Sequence, residues 1–276
     1  MCFAIVSANQ SSRPKLRLYK SEVIVLRDYD LGEQDKIVVF YSRRYGKIKV
    51  VAKGARRIKS RFAAQVQPPS YDSVVIHKAT RGGLHTLSEC KINYPFIGIR
   101  KNLLRFAYSC YLAELIDKCL EEEQPNSHLF ELLVKTLYCL EKIPKQKLSL
   151  LMRSFEIKLL KILGYGLYLS RCINCGKEKG KIQSLFVSIK SGGLLCDDCQ
   201  EEDKNRLEVS KKTVLLMNYL LHTSLKKTVQ QNCDKAIEVE LEAILKRYLS
   251  YQLSREMITS RFVCTSEKLE LKHPII

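Results

Sequence analysis

The stretch GKIKVVAKGARRIKSRF, residues 46–62, joins the pattern of a β-strand to a dense cluster of positive charge. In its first half, apolar residues alternate with Lys47 and Lys49, which places both lysines on one outer face of a strand. Its second half, from Gly54 onward, is basic, has no acidic residue and reads as a loop. The stretch therefore predicts a folded strand followed by a loop that contacts an anion.

Four further β-branched runs flank this stretch between residues 18 and 92. Turn signals separate the runs, among them Asp30-Leu31-Gly32 and Gly82-Gly83. Five short strands in a segment of this size indicate a small closed barrel of the OB type. We therefore predict an OB-fold domain over residues 18–95. The five runs are KSEVIVLR (20–27), DKIVVFYS (35–42), GKIKVVAK (46–53), YDSVVIHK (71–78) and GLHTLSEC (83–90).

The apolar periodicity then changes from that of strands to that of helices. Asn126 or Ser127 is the predicted cap of one helix, and Gly164 ends another in the left-handed conformation that glycine favours. The fold class is therefore α+β, a five-stranded barrel followed by a mostly helical domain over residues 96–276. The predicted helices cover residues 102–123, 128–140 and 148–163, and a final one contains Ile237, Leu241, Leu245 and Tyr248.

Two CxxC pairs interrupt the helical domain at about residues 170–200, in CINCGKEKGKIQSLFVSIKSGGLLCDDC. Four thiolates can form a tetrahedron, which zinc prefers, and four protein ligands leave no open position, so the predicted site is a structural zinc finger. The alternatives are four unrelated thiols, or a redox CxxC that leaves the second pair without a role. The predicted ligands of one Zn²⁺ per chain are Cys172, Cys175, Cys196 and Cys199.

The chain of 276 residues has a formal net charge of +18 and a pI near 9.4. Such a surplus repels itself in a compact fold and favours a polyanionic partner, for which we prefer nucleic acid over acidic membranes or proteins. No apolar run approaches the ~20 residues of a membrane helix. No signal peptide is predicted, and residues 1–17 are expected to be a disordered extension. Eleven cysteines, mostly scattered, indicate a reducing compartment, the cytoplasm.

Nine cations between residues 43 and 61 are candidate phosphate contacts. Strand charges on one barrel face, followed by a basic loop, form the layout of a groove that tracks a phosphate backbone. A solvated loop is the plain alternative. Tyr41, Tyr45 and Phe62 are near enough to stack on bases, although each is more often a core residue. The candidate nucleic-acid-binding residues are Arg43, Arg44, Lys47, Lys49, Lys53, Arg56, Arg57, Lys59 and Arg61.

The segment YKSEVIVLRDYDLGEQDKIVVFYSRRYGKIKVVAKGARRIKSRF, residues 19–62, resembles the N-terminal domain of the RecO family of bacterial recombination mediators. The matching features are the run from Gly32 to Ile37, the GKI turn and the AKGARRIKSRF loop. The resemblance continues through YLAELIDKCLEEEQPN and LGYG to the four cysteines, and returns in LKRYLSYQLSREMITSRF. It covers residues 18–263, and the collinear set of motifs is more specific than any one of them.

This resemblance implies an OB-fold domain, a helical domain and a zinc site that some members lack. It also implies binding of single- and double-stranded DNA, strand annealing, and partnership with RecR and single-strand binding protein in loading RecA on coated DNA. The expected function is a non-enzymatic DNA-repair mediator in the cytoplasm, associated with the nucleoid. The acidic, hydrophobic tail of single-strand binding protein is expected in an apolar groove of the helical domain near Arg153, Lys158 and Lys161.

Two other functional classes fit parts of the sequence. An RNA-binding or ribosome-associated module also combines a barrel with a zinc ribbon. A nuclease or nucleotidyl enzyme would need a site that the sequence does not display, since it has no Walker loop and no paired carboxylates or nucleophile–base set. The acidic triplet Glu121–Glu123 is expected to end a helix as solvated charge.

Overall fold

The computed structural model describes residues 18–79, 83–253 and 257–272 of the chain. The extension predicted for residues 1–17 lies outside these ranges. Within them the fold has a β-barrel, a group of helices and a second, small sheet. Among the described residues, no helix has the length and apolar character needed to span a membrane.

Every one of the five predicted β runs forms a strand, and together they close into a barrel. The strands are β1 (Leu18–Leu31), β2 (Asp35–Ser42), β3 (Gly46–Ala52), β4 (Tyr71–His77) and β5 (His85–Tyr94). Their order is β1-β2-β3-β5-β4, and β1 also pairs with β4. Within the barrel, β3 and β5 pair in parallel, with Val50 opposite His85 and Val51 opposite Thr86. This arrangement confirms the predicted five-stranded barrel.

Strand β1 is buried on both faces along part of its length. Val23 and Val25 lie in the barrel core, whereas Ile24 and Leu26 belong to the larger core formed with the helices. A strand covered on both sides needs apolar residues at consecutive positions, because successive side chains point to opposite faces. The run of residues 23–26 meets that need and fixes which barrel face the helices cover.

The helices follow the barrel and share one core with its outer face. Their centre is the fourth one, which is buried along most of its length and packs against the third, fifth, sixth and seventh. The helices are α1 (Ile97–Arg100), α2 (Leu103–Cys119), α3 (Ser127–Lys142), α4 (Leu148–Ile162), α5 (Lys211–His222), α6 (Leu225–Thr228), α7 (Lys235–Leu253) and α8 (Thr259–Lys272). Short 3-10 helices cover Lys145–Lys147, Lys179–Lys181 and Asp197–Glu202.

Local signals account for several helix ends. The Asn126 side chain accepts a hydrogen bond from Leu129 N at 3.0 Å and caps α3, as predicted. Gly164, with a φ of +86°, follows α4 in the left-handed region, also as predicted. Helix α5 lies outside the helices predicted from the sequence, although Ser210 caps it by accepting from Thr213 N at 3.2 Å. That capping serine was the available signal.

A second sheet of four strands lies between α4 and α5. It contains β6 (Tyr168–Cys172), β7 (Leu185–Ser188), β8 (Gly193–Leu195) and β9 (Leu207–Val209), in the order β6-β8-β7-β9. Pairs β7–β8 and β7–β9 are antiparallel. The sheet is the insertion that the two CxxC pairs predicted, and it carries all four cysteines at or near its strand ends.

The acidic triplet Glu121–Glu123 is exposed to solvent, as expected, although it follows the end of a helix and does not form its last turn. Helix α2 ends at Cys119, and the chain then runs beside β3. Glu123 N donates to Lys47 O at 3.0 Å, and Glu122 forms an isolated parallel bridge with Lys47. The triplet is held here because backbone groups at the barrel edge pair with it.

Gly46 permits this close approach between the barrel and the α2–α3 connection. Its φ is +68°, and a Cβ built on it would lie 2.3 Å from Gln124 O. Real Cβ atoms essentially never come so close to backbone. The glycine is therefore required both by its backbone conformation and by its neighbour.

Gly46→Ala should lower the free energy of unfolding by about 3 kcal/mol, because strain at positive φ adds to the clash with Gln124. Gly32→Ala is the matched control, since its φ is +60° and nothing lies within 4 Å of the added carbon. The control should lose roughly 1 kcal/mol. Denaturant titration measures both variants, and equal losses would contradict the required close approach.

Candidate metal centre and nucleic-acid interface

Four cysteine sulfurs converge at one end of the small sheet. All four Sγ atoms lie within 4.8 Å of one another, and Cys175 Sγ is 3.6 Å from Cys196 Sγ. A tetrahedron with metal–sulfur bonds of about 2.3 Å has sulfur–sulfur edges of about 3.8 Å. The observed spacing therefore fits a single bound ion. The four residues are Cys172, Cys175, Cys196 and Cys199, the set that the sequence predicted.

Each CxxC pair forms a tight turn that presents its sulfurs to the same point. Gly176 N donates to Cys172 O at 3.0 Å, and Cys199 N donates to Cys196 O at 3.0 Å. Gly176 has a φ of +77°, which a glycine adopts without strain. The glycine after the first pair thus lets the chain turn tightly around the four sulfurs.

The pKa of the Cys172 thiol is lowered, whereas those of Cys196 and Cys199 are raised. Burial raises the pKa of Cys172, but backbone N–H groups of Cys175 and Asn174 donate to the sulfur and more than offset that effect. The resulting pKa is about 7. Since a thiolate rather than a thiol binds metal, this environment suits a metal ligand.

The insertion is attached to the helical core through its β7–β8 hairpin. A Cβ on Gly192 would lie 2.4 Å from the hydroxyl of Tyr248 on α7, so the hairpin turn lies directly on that ring. The Tyr248 hydroxyl in turn donates to Tyr165 O at 3.1 Å. Buried Asp203 accepts from the Ser188 hydroxyl at 2.8 Å and holds the hairpin base. The hairpin thus connects the cysteine cluster to α7.

Three of the nine candidate DNA cations pair with carboxylates at the boundary between the barrel and the helices. Arg43 bridges Glu22 of β1 and Glu131 of α3, at 2.9 and 2.8 Å. Those two ion pairs connect the barrel to α3. The charge of Arg43 is therefore shared with two acidic side chains.

Lys47 and Lys49 project from β3 toward the α2–α3 connection. Lys47 is only 9% exposed, and its Nζ lies 3.2 Å from Asp117 Oδ1. Lys49 Nζ lies 2.5 Å from Glu122 Oε1. Both lysines lie on the same face of the strand, as the alternation predicted. Alternation alone cannot identify what covers that face. Here it is an acidic segment of the helical region.

The other six candidate cations are exposed, and five of them belong to one loop. We name residues 53–61 the basic loop. Arg56 anchors it, donating from Nη1 to Gly32 O at 2.8 Å and lying 3.3 Å from Asp30. Arg57 Nε donates to Gln34 Oε1 at 2.7 Å. The six exposed cations are Arg44, Lys53, Arg56, Arg57, Lys59 and Arg61.

The loop is also fixed at both ends by apolar side chains. Ala55 and Phe62 are each 3% exposed and belong to the barrel core. Tyr41 is fully buried, and its hydroxyl donates to Asn126 O at 3.0 Å. Tyr41 and Phe62 are therefore core residues and not stacking platforms. Tyr45 is half-buried and packs on Tyr19, with ring centroids 4.3 Å apart.

A wide groove of about 1170 Å³ lies between α3, α4 and the α5–α6 connection. We name it the α3–α4 groove. Of the cations expected there, Lys158 and Lys161 line it, whereas Arg153 does not. Arg153 is buried in the core because it pairs with Glu156 at 3.0 Å. The lining includes the apolar residues Leu132, Tyr138, Ile162, Leu225 and Val229 and the cations Lys135, Lys142 and Lys226.

Comparison with known proteins covers both parts of this structure. Residues 16–96 match the family described as Recombination protein O N terminal, and residues 100–261 match Recombination protein O C terminal. The chain belongs to the RecO family. The two matched ranges correspond to the barrel and to the helical region with its cysteine insertion.

Individual RecO relatives align along nearly their whole length. The DNA repair protein RecO of Alkaliphilus metalliredigens is 35% identical over 238 residues, which is 86% of this chain and 95% of the relative. The DNA repair protein RecO of Acetivibrio thermocellus is 31% identical over 251 residues, 91% of this chain and 98% of the relative. That of Bacillus subtilis is 30% identical over 254 residues, 92% and 96% of the two chains. The predicted family is confirmed.

Proposed function

We propose that this chain is a non-enzymatic, DNA-binding mediator of DNA repair and recombination, acting in the cytoplasm at the nucleoid. Its relatives carry the name DNA repair protein RecO. The observation that carries the proposal is the basic loop, where five exposed cations stand on a barrel-anchored support. In this proposal residues 18–95 bind DNA, and residues 96–276, with the insertion at about 170–200, bind protein partners.

The loop can hold single or double strands by their phosphates without reading sequence. Neutralising phosphates on two complementary strands lowers their mutual repulsion, so annealing needs no nucleotide hydrolysis and no catalytic residue. Arg43, Lys47 and Lys49 would have to release their carboxylates to reach DNA. We assign the first phosphate contacts to the six exposed cations Arg44, Lys53, Arg56, Arg57, Lys59 and Arg61, of which Arg56 would exchange its exposed partner Asp30 for phosphate.

We propose zinc as the ion of the cysteine cluster. Four sulfur ligands suit zinc's preference, and four protein ligands leave no position for substrate, so the ion would serve only to stabilise the fold. Cys172 would hold it from the end of β6 and Cys175 from the turn after it, and Cys196 and Cys199 from the segment that follows β8. The sheet could not bring these side chains together before folding, so metal binding and folding of the insertion should be coupled.

Cys196→Ser should reduce bound zinc from one ion per chain to well below one, and should lower the stability or solubility of the protein. DNA affinity should change little, because the barrel carries the basic loop. Cys264→Ser is the control, since Cys264 is exposed and lies outside the cluster. Metal analysis of the purified proteins gives the answer. A parent protein without zinc would refute the assignment.

We further propose that the α3–α4 groove accepts the acidic, hydrophobic tail of single-strand binding protein. Its apolar floor and lysine rim offer the two complementary features such a tail needs. This contact would bring the chain to coated strands, where together with RecR it would help load RecA. The groove is separate from the basic loop, so tail and DNA can be held together.

Reversing charge at the groove, with Lys142 and Lys161 both changed to Glu, should weaken binding of a tail peptide by about tenfold. Lys181→Glu in the insertion is the control, because Lys181 does not line the groove. Fluorescence anisotropy with a labelled tail peptide measures the difference. Equal affinity of the double variant and the control for the tail peptide would contradict the proposal that the α3–α4 groove binds the tail.

The test of DNA binding is a salt series. Binding should weaken steeply with salt, with a slope of log affinity against log salt of about −0.7 per contacted phosphate on a single strand. Changing Arg56 and Arg57 together to Ala should reduce that slope by about one unit, on any sequence, because counterion release is lost. Changing Lys181 and Lys190 to Ala should do less. An Arg56/Arg57 variant that binds like the parent across the series would contradict the proposal.

A further inference from the structure

Ile58 stands at the tip of the basic loop with its side chain entirely in solvent. Its exposure is 103%, and no other large apolar side chain among the described residues exceeds 73%. Most single exposed apolar residues need no explanation. This one differs because its immediate sequence neighbours, Arg57 and Lys59, are exposed cations. An apolar group is thus held in the region where a phosphate chain would be attracted.

The position of Ile58 is fixed by the backbone around it. Arg57 N donates to Gly54 O at 3.1 Å, and Ser60 N donates to Arg57 O at 3.0 Å. These two turns put Ile58 at the most outward point of the loop, between the buried anchors Ala55 and Phe62. The side chain is therefore presented to solvent by an ordered support. A group held in this way loses little conformational freedom when it binds.

The neighbouring cations would attract the phosphates of a nucleic-acid strand, and this would bring the apolar faces of its bases close to Ile58. If a strand is held with its phosphates on the loop cations, its bases are attached next to those phosphates and can reach the tip. Apolar side chains such as Ile are known to enter between base steps as wedges and to unstack them. Contact with the face of a base also does not depend on sequence, because every base has such a face.

We propose that Ile58 is a base-contacting residue that packs against, and partly unstacks, the bases of a single strand held by the basic loop. The proposal rests on the proposed DNA-binding function of that loop. Unstacked bases expose their pairing edges, so this contact would prepare a bound strand for pairing with its complement. The loop then has two separable roles, in which cations hold phosphate and Ile58 orders the bases.

The experiment uses the full chain and three variants. Ile58→Ser removes the apolar side chain, Ile58→Leu keeps it, and Leu215→Ser removes a side chain of α5 that is 60% exposed and outside the loop. One probe is a single-stranded oligonucleotide with a central 2-aminopurine, whose fluorescence rises on unstacking. The other is an oligonucleotide of the same length with abasic sites throughout, which keeps the phosphates and lacks the bases.

Ile58→Ser should bind the normal strand about three- to tenfold more weakly than the parent, because apolar surface stays in water. It should also lose most of the fluorescence rise. Affinity for the abasic strand and the salt slope should both stay unchanged, since no phosphate contact is lost. Ile58→Leu and Leu215→Ser should behave like the parent in all measurements.

The base contact is overturned if Ile58→Ser binds the normal strand and raises fluorescence as the parent does. It is also overturned if Ile58→Ser weakens both strands equally, since that marks a disturbed loop and not a lost base contact. Loss of binding to anionic vesicles, with DNA binding intact, would assign Ile58 to a membrane surface and reject the nucleobase. Failure of the proposed function is separate, because it shows as an unaltered salt slope in the Arg56/Arg57 variant.

Discussion

The structure depends on the close backbone contact between the start of β3 and the connection from α2 to α3. Gly46 has no side chain to separate it from Gln124, and Glu123 N bonds to Lys47 O at 3.0 Å. This contact brings Asp117 to Lys47, so a nearly buried ammonium meets a carboxylate and does not remain unpaired. Without it, Lys47 would be an uncompensated buried charge, which is strongly destabilising.

The same contact determines which cations remain for a polyanion. Asp117 also pairs with Arg27 at 2.9 Å, and Glu122 pairs with Lys49, so acidic side chains of the helical region neutralise one barrel face. The basic loop leaves the barrel beyond this face and stays exposed. In this chain, whose net charge is +18, some basic side chains thus form ion pairs that join the barrel to the helices, and others are exposed to solvent. The proposed DNA-binding surface is therefore smaller than the run of basic residues suggests.

The sequence predicted the parts of the fold that depend on local pattern and spacing. Alternation and turn residues gave the five strands, and two CxxC pairs gave a cluster whose sulfurs lie within 4.8 Å of one another. It could not predict the parts that depend on distant segments meeting. The burial of Lys47 depends on Asp117 of α2, and no local pattern states this pairing. Arg153 and Glu156 are neighbours on α4, but their burial depends on distant segments such as α2, whose Tyr111 hydroxyl donates to Glu156 at 2.7 Å. The exposure of Ile58 is likewise a result of where its loop is anchored.

In the proposed function, this chain brings complementary strands together by charge and base contact alone. The most direct measurement is the rate of annealing of two complementary oligonucleotides, bare and coated with single-strand binding protein, with no nucleotide present. The account predicts that the full chain accelerates annealing in both states and leaves the strands intact. Annealing no faster than without protein, or magnesium-dependent breakdown of the strands, would contradict it.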